Sequence, residues 1–418
     1  MLEKYFRIER HGLSKRDFIV FSFSLLNALT WYFMTLQIID NLSTNFGGSI
    51  YQKVTIMGSY YFAIVLSSFC NSLISFKIKR RVLLLTWIGF GIVASLLPLA
   101  IAVSSFEGLI LISFWFGFSF GLGMPSVLSY FADGTVFENR GRSGGIIFFL
   151  ASFFAVVFVI FNLIINNFVV ALLYMSVWRS INLCIFGLAN LKRIEAKRTE
   201  HTSFRMVLTN RPFLFYLIPW LMFSLVDSFE KTYLQSYIIS FFSQGFFEFN
   251  QLVETVIGAF SAFLMGIVAD FFGRKRVVVY GFISLGLAYA AVGVAPHLEV
   301  LWYFYSVVDG IAWGIFLVFF TLVIWGDLSP IESFREKYYT VGGIPFFISK
   351  LIGILFLPYT QGLPKESAYT AFSLAAFFLF LAVLPLMYAP ETLPEKKIRE
   401  RELRQYIEKA KKIKEKFT

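Results

Sequence analysis

The stretch Gly266–Arg276 reads GIVADFFGRKR and joins two long apolar segments. A related stretch, NSLISFKIKRR at Asn71–Arg81, lies 195 residues earlier and also joins two apolar segments. Further landmarks repeat at almost the same spacing: Gly117, Gly121, Asp133 and Arg140 in the first half, and Gly310, Gly314, Asp327 and Arg335 in the second. Because repeated landmarks at one spacing indicate a duplicated unit, the sequence predicts two matching halves.

The composition places both halves in a membrane. The chain has 418 residues, of which 57% are hydrophobic and 15% charged, and its mean hydropathy is +0.70. A soluble domain carries about 45–50% apolar and about 25% charged residues, and a spanning helix needs about 20 apolar residues. Apolar windows predict twelve such helices, near residues 17–39, 51–76, 82–103, 107–132, 142–165, 167–190, 212–240, 249–271, 277–295, 299–326, 338–358 and 367–389. The predicted fold is therefore an all-α membrane protein with two pseudo-symmetric six-helix bundles.

The basic residues predict the orientation of the chain in the membrane. Of the 37 Lys and Arg residues, 32 lie in the two tails and in the loops that follow the even-numbered helices. The other face receives only Lys53 and Lys365, and three more lie within helices. Cytoplasmic loops carry such an excess of positive charge, so we expect a multi-pass cell-membrane protein with both termini in the cytoplasm. The net charge of +11 then reflects topology and contact with anionic lipid, and nucleic acid is not an expected partner.

The duplication also predicts the domain boundaries. We expect an N-terminal bundle over residues 1–190, a cytoplasmic joint over 191–211, a C-terminal bundle over 212–390 and a basic cytoplasmic tail over 391–418. No cofactor or metal is expected, since the three histidines fall in tails or loops and the two cysteines in predicted helices. Two parallel bundles of this kind are typical of transporters, whose solute site lies between the repeats near the middle of the membrane.

The loop motifs resemble those of the major facilitator superfamily over nearly the whole chain. The family pattern G-x-x-x-D-x-x-G-R-K-R is matched at Gly266, Asp270, Gly273 and Arg274–Arg276. After helix 4, the sequence from Tyr130 to Gly141 is similar to the pattern Y-x-x-E-x-x-P-x-x-x-R-G of sugar porters and metabolite–proton symporters, with Asp for Glu and Val for Pro. The motif Pro-Glu-Thr at 390–392 follows helix 12, as it does in that branch.

These motifs point to a cytoplasmic gate. An acid at a helix end can pair with an arginine of a neighbouring loop or with a helix N-terminus. Such pairs would form between the halves in one state and separate in the other, biasing alternating access without binding solute. The expected gate residues are Asp270, Gly273, Arg274, Asp133, Arg140, Asp327 and Arg335. The alternative interpretation is that these charges serve only to orient the chain in the membrane.

Ionisable groups inside spanning helices are costly and mark functional sites by default. Depth along the helices predicts that Asp227, Asp309 and Lys350 meet near the middle of the membrane. Either acid could take up a proton outside and release it inside, and Lys350 could hold an acid or bind an anionic solute. Arg179 is expected to extend toward the membrane surface, the alternative being that it reaches Asp227 or a solute anion. Glu230 and Lys231 are expected to lie in the more easily solvated outer third. Face patterns add further candidates for the solute and proton site: Lys231, Asn27, Trp31 and Trp313.

These observations predict a secondary transporter for a small organic solute such as an organic acid or a sugar. We expect alternating access, proton symport and a monomer. A proton-independent facilitator or exporter is the alternative within the same class. A solute receptor or scaffold with a transporter fold is an alternative of another class. A polytopic membrane enzyme is disfavoured, since no nucleophile–base set, metal-binding set or phosphate-cradling loop is present in the sequence.

Overall fold

The computed structural model describes residues 15–101, 103–165, 167–189, 203–330, 335–360 and 367–393, without the side chains of 15, 231–236, 240 and 368. Twelve helices in this part of the chain are long and apolar enough to cross a membrane, which confirms the predicted fold class. The first six are α1 Lys15–Asn45, α2 Ile50–Ile74, α3 Arg80–Leu96, α4 Phe106–Gly134, α5 Arg140–Ile165 and α6 Phe168–Leu188. The second six are α7 Arg211–Phe241, α8 Gln244–Phe272, α9 Arg274–Val294, α10 Glu299–Leu328, α11 Arg335–Thr360 and α12 Ser367–Tyr388.

Polar caps set where several helices begin. The Ser49 hydroxyl accepts a hydrogen bond from the Gln52 backbone N–H, and the Gln52 side chain accepts one from the Ser49 N–H, which forms a capping box before α2. A side-chain oxygen accepts from the first turn in the same way before α4, α6, α7 and α8, at Ser105, Asn167, Asn210 and Ser243. Because a cap satisfies an otherwise unbonded N–H group, these short polar segments stop one span and start the next.

Within each half, glycines bring two helices into close contact. A Cβ atom at Gly117 or Gly121 of α4 would collide with backbone carbonyls of α2. A Cβ atom at Gly310 or Gly314 of α10 would collide with the backbone of α8 in the same manner. Small residues allow such close approach between membrane helices. The repeated glycine pairs therefore fix the same helix packing in both halves.

The halves meet along two seams, where α5 packs on α8 and α2 packs on α11. At the first seam a Cβ atom on Gly145 would meet the carbonyl of Ala262, and one on Gly266 would meet the carbonyl of Gly141. The loops after α2, α4, α8 and α10 lie on one side of the molecule, named here the basic face because it carries the arginines of both motifs. The side that carries the loops after α1, α5 and α7 is named the opposite face.

Two helices depart from regular α geometry. Helix α4 is interrupted between Gly121 and Met124, and α10 contains a π-helical turn at Val318–Val323. Side chains satisfy carbonyls in this wide turn, since Tyr339 Oη donates to the Leu322 oxygen at 2.6 Å and Trp325 Nε1 to the Phe320 oxygen. Single π turns occur often at functional sites, and this one lies between the two halves.

Candidate functional site

A cavity of about 700 Å³ lies between the two halves. Its lining runs from Trp325 and Tyr339, near the basic face, to Asp40 and Lys53 at the opposite face, whose side chains are 59% and 40% exposed. The cavity therefore reaches the opposite face. Ligand sites for small molecules have volumes of about 300–1,000 Å³ and mostly apolar walls, which this cavity matches.

Aromatic rings from both halves form the inner part of the cavity. The ring of Tyr32 on α1 lies 4.7 Å from that of Phe120 on α4 and 6.1 Å from that of Phe347 on α11, measured between centroids. Phe346 lies beside Phe347, and its ring centroid is 6.1 Å from that of Trp313 on α10. Trp313, a predicted site residue, therefore lines the cavity.

The structure brings two of the predicted ionisable residues together. Lys350 lines the cavity, and its ammonium group forms an ion pair with the carboxylate of Asp227 on α7. The ammonium nitrogen also lies 5.7 Å from the Trp313 ring centroid and 5.6 Å from that of Phe346. The Lys350 side chain is 16% exposed, whereas that of Asp227 is 2% exposed. Lys350 thus presents positive charge to the cavity, and Asp227 lies behind it.

Asp309, the third acid or base of the predicted set, lies on α10. It is 1% exposed and lies in the interior of the second half, within electrostatic range of Tyr289 and Tyr305. Glu230 belongs to the same cluster, since Tyr289 Oη donates to its carboxylate at 2.6 Å. The prediction that Glu230 lies in a solvated outer third was wrong, because packing against α9 leaves it only 7% exposed.

The polar interior of the first half also differs from expectation. Asn27 and Trp31 face α6 and α3 instead of the cavity: Asn27 Nδ2 donates to the Trp178 oxygen at 2.7 Å, and Trp31 Nε1 donates to Ser95 Oγ at 2.9 Å. A polar stripe on one helix does not reveal which neighbour it meets, and here it meets the interior of its own half. The proposal that these two residues line the solute pocket therefore needs correction.

Arg179 occupies that interior as well. Its guanidinium is fully buried, donates to Asn27 Oδ1 at 3.2 Å, and lies over the rings of Trp31 and Trp87 at 5.2 and 4.6 Å. The expectation that Arg179 extends to the membrane surface was wrong, since the two indole rings and Asn27 hold it within the first half. The side chain of Lys231, another predicted site residue, lies outside the described residues.

At the basic face, two arginine–aspartate pairs join the halves reciprocally. Arg140 of α5 pairs with Asp327 of α10, and Arg335 of α11 pairs with Asp133 of α4. Each pair takes its acid from one half and its arginine from the other. The two pairs are equivalent because Asp133 and Arg140 correspond, by the repeat, to Asp327 and Arg335. Charged groups that are bonded in this way stabilise the contact between the halves.

A third contact caps a helix across the seam. The carboxylate of Asp270 at the end of α8 accepts hydrogen bonds from the backbone N–H groups of Gly141 and Arg142, at 3.1 and 2.8 Å. An acid at a helix N-terminus also interacts favourably with the helix dipole. Gly273 makes this geometry possible, because its φ of 101° turns the chain directly from α8 into α9.

Arg274 follows this turn and extends the contact. It is fully buried, pairs with Asp327, and donates to the backbone oxygen of Phe137 in the first half. Glu391, from the Pro-Glu-Thr motif after α12, accepts from the backbone N–H groups of Arg274 and Lys275 at 2.9 and 3.1 Å. The motif therefore fixes the start of α9, next to the seam.

The predicted gate set lacked three members of this contact: Arg80, Arg142 and Glu336. Glu336 is 5% exposed and accepts hydrogen bonds from Ser126 Oγ at 3.2 Å and from Arg80 at 3.4 Å, both in the first half. Arg80 also pairs with Asp133 at 2.7 Å. The available signal was that Glu336 adjoins Arg335 at the start of a helix. We name this set the gate layer: Arg80, Asp133, Arg140, Arg142, Asp270, Arg274, Asp327, Arg335 and Glu336.

The described residues include no group of three or more His, Cys, Asp or Glu side chains arranged to hold a metal ion. The charged side chains of the gate layer are instead paired with one another or with backbone groups. The candidate site therefore consists of the cavity, the ion pair of Asp227 and Lys350, and the gate layer.

A solved proton:xylose symporter of the major facilitator superfamily superposes with a TM-score of 0.68 at 13% identity, covering 90% of this chain and 96% of that one. A fucose transporter of the superfamily in an outward conformation gives 0.67 at 12% identity, covering 90% and 100%.

One curated protein resembles part of the sequence. A probable peptidoglycan muropeptide transporter of Drosophila melanogaster is 28% identical over 159 residues. The match spans 34% of this chain and only 29% of the length of that relative. No protein-family profile matches the chain. Both structural likenesses lie below 25% identity, and they show the fold of this chain. The chain therefore has the fold of the major facilitator superfamily, to which its loop motifs also point.

Proposed function

We propose that the protein is a secondary transporter that moves a small organic solute by alternating access, coupled to protons as a symporter. The observation that carries this proposal is the contrast between the two faces. The gate layer joins the halves at the basic face, while the cavity reaches the opposite face. That arrangement is one end state of a rocking cycle in which the two repeats move about a central site.

The basic face is proposed to be cytoplasmic, in agreement with the positive-inside rule. The cavity then opens to the outside, and the solute enters from there. The proposed units are residues 1–190 and 212–390 as bundles, with 191–211 as the joint and 391–418 as the tail. Most of the joint and tail lies outside the described residues, at 190–202 and 394–418. A monomer suffices for the cycle, because one chain supplies both halves.

Proton coupling is proposed to use the ion pair at the cavity. Protonation of Asp227 removes the negative charge that holds the Lys350 ammonium, and the released ammonium can then attract a solute. Other titratable groups that line the same cavity include Tyr32, Tyr61 and Glu254, and Tyr32 lies within electrostatic range of Asp227. Because protonation and solute binding favour each other in this scheme, the affinity for solute rises as the external pH falls.

Asp309 is the second proposed proton site. Its buried cluster with Glu230, Tyr289 and Tyr305 lies in the same half as Asp227. Acids in the interior of membrane proteins often form proton relays. Protonation of this cluster would remove negative charge from the second half during the rocking motion.

The test measures proton movement driven by solute. Purified protein is reconstituted into liposomes that contain pyranine, and muramyl dipeptide, xylose, fucose and 2-naphthoate are added outside in turn. We expect at least one of them to acidify the lumen, and we expect this signal to disappear in Asp227→Asn and Asp309→Asn. Glu248→Gln is the matched control, because Glu248 is an exposed acid that lies outside the cavity.

Two results would overturn this proposal. Proton movement that persists in both aspartate variants would show that neither Asp227 nor Asp309 is needed for proton coupling. Solute exchange without any proton movement would instead identify a facilitator, and binding without exchange would identify a receptor with a transporter fold.

A further inference from the structure

We infer that the solute is an aromatic carboxylate, an inference that rests on the proposed transport function. The inner part of the cavity combines one cation, Lys350, with a shell of rings from α1, α4, α10 and α11. The other described cation in the lining, Lys53, lies at the opposite face and pairs there with Asp40 at 3.6 Å. Among the described side chains, the inner cavity therefore offers one positive charge and a large aromatic surface.

The position of Lys350 favours a carboxylate. Its ion-pair partner Asp227 lies behind it and is almost completely buried, whereas Lys350 retains 16% exposure on the cavity side. A solute carboxylate can approach the ammonium from that side and compete with Asp227 for it. Hydrogen bonds between two charged groups are about twice as strong as those between neutral groups, so this contact would orient the solute.

The rings around Lys350 favour an aromatic body. Trp313 and Phe346 both lie within 6 Å of the ammonium, and their rings are nearly perpendicular, at 81°. Phe347 and Tyr32 continue the surface with centroids 6.1 Å apart at 77°. Rings that are set at such angles can receive a further ring by stacking on one face or by edge contact. The solute ring would thus lie next to the carboxylate that binds Lys350.

A sugar fits the inner cavity less well. A buried sugar needs a hydrogen-bond partner for each hydroxyl, and unpaired hydroxyls are costly to bury. The polar side chains of the lining include Ser228, whose hydroxyl already donates to the Ser349 oxygen at 2.6 Å. Other polar groups, such as Gln251 and Thr255, lie on α8 near the opposite face. An aromatic acid needs only one charged partner and apolar contact.

The experiment measures binding directly, separately from transport. Tritiated 2-naphthoate is bound to the purified full-length protein in detergent, and unlabelled compounds compete with it. We expect 2-naphthoate to compete best. 2-Naphthamide, which lacks the charge, and cyclohexanecarboxylate, which lacks the aromatic ring, are each expected to be at least about tenfold weaker. Xylose is expected not to compete.

Variants assign the two contacts. Lys350→Met is expected to weaken 2-naphthoate binding about tenfold or more while leaving 2-naphthamide binding within about twofold, because only the carboxylate uses the charge. Lys337→Met is the matched control on the same helix, where the lysine lies over Phe204 outside the cavity. If Lys350→Met does not fold, the double variant Asp227→Asn/Lys350→Met removes both charges and tests the same contact.

Trp313→Leu is expected to weaken the binding of both 2-naphthoate and 2-naphthamide about three- to tenfold, since both compounds lose contact with the Trp313 ring. Trp115→Leu is its control, because Trp115 lies beside Phe90 and Phe118 and outside the cavity. Equal binding of 2-naphthoate and cyclohexanecarboxylate would overturn the aromatic part of the inference. Unchanged binding in Lys350→Met would overturn the carboxylate part.

Binding and transport can fail separately. Binding of 2-naphthoate without any transport of it would support the aromatic-carboxylate inference and contradict the proposed transport function. Proton-coupled flux of xylose, fucose or muramyl dipeptide without 2-naphthoate binding would end the inference and keep the proposed function.

Discussion

Two sets of buried ion pairs lie at different depths and connect different parts of the molecule. The pairs of the gate layer join the first half to the second, as Arg140 does with Asp327. The pair of Asp227 and Lys350 lies wholly within the second half. A pair that joins the halves must break when they separate, whereas a pair within one half can move with it unbroken. The first kind therefore sets the conformational equilibrium, and the second kind is suited to binding.

One assay compares the two sets. Ala132 is buried at the basic face and lies against Gly326 of the other half. Ala132→Cys, in a background with Cys70 and Cys184 replaced by serine, should react slowly with a maleimide while the gate layer is closed. The labelling rate in detergent then reports the fraction of molecules that are open at the basic face.

Asp327→Asn should have the largest effect. Asp327 pairs with Arg140 and Arg274, and all three side chains are almost completely buried. Removing one partner of a buried pair costs about 3–5 kcal/mol, so we expect labelling of Ala132→Cys to increase by about 100-fold or more. An unchanged rate, in a variant that is shown to be folded by its thermal melting curve, would mean that this pair does not hold the gate closed.

Gly145→Val should have the next largest effect. A side chain at Gly145 meets the Ala262 carbonyl across the seam between α5 and α8. Overpacking costs about 1–3 kcal/mol, and we expect labelling to increase about tenfold as the halves separate. Gly89→Val is the matched control, because a Cβ atom at Gly89 meets nothing within 4 Å. Similar rates for the two valine variants would show that the effect arises from the helix and not from the seam.

Asp227→Asn should leave the labelling rate within about twofold of the parent, because the pair does not join the halves. It should change the pH dependence of solute binding instead. If Asp227 carries the proposed coupling, the parent protein should bind 2-naphthoate more tightly at pH 5.5 than at pH 7.5, whereas the asparagine variant should bind it equally at both. A tenfold rise in labelling for this variant would place Asp227 in the gate and contradict the distinction between the two sets.

Asp40→Asn should have the smallest effect. Asp40 and Lys53 form an exposed pair within the first half, 3.6 Å apart at the opposite face. Exposed pairs contribute little and are screened by salt, so we expect less than a twofold change in labelling at 150 mM NaCl. A larger change would indicate that contacts at the opposite face also shift the equilibrium.

The repeat explains why much of the fold and the gate could be predicted from sequence. Hydropathy placed the seventh helix at 212–240, and the structure has Arg211–Phe241. The spacing of Asp133, Arg140, Asp327 and Arg335 put equivalent groups at equivalent helix ends, where the structure pairs them crosswise. Both inferences depend on patterns along the chain, which the sequence contains in full.

The interior polar groups could not be predicted in the same way. Periodicity shows that Asn27 and Trp31 share a helix face, but it does not show that this face meets α3 and α6 instead of the cavity. The burial of Arg179 depends on two indole rings that are distant in sequence, Trp31 and Trp87. The interruption of α4 and the wide turn of α10 also escape an argument that assumes 3.6 residues per turn.

The π-helical turn of α10 connects the cavity to the gate layer. Phe320 and Thr321 of this turn line the cavity, and Asp327 lies at most two helical turns farther on. Tightening the turn by one residue would rotate everything beyond it by about 100°. Asp327 would then swing away from both of its arginines. A solute that contacts Phe320 could therefore break the ion pairs of Asp327 at the other end of α10, by converting the π-helical turn into a regular α-helical turn.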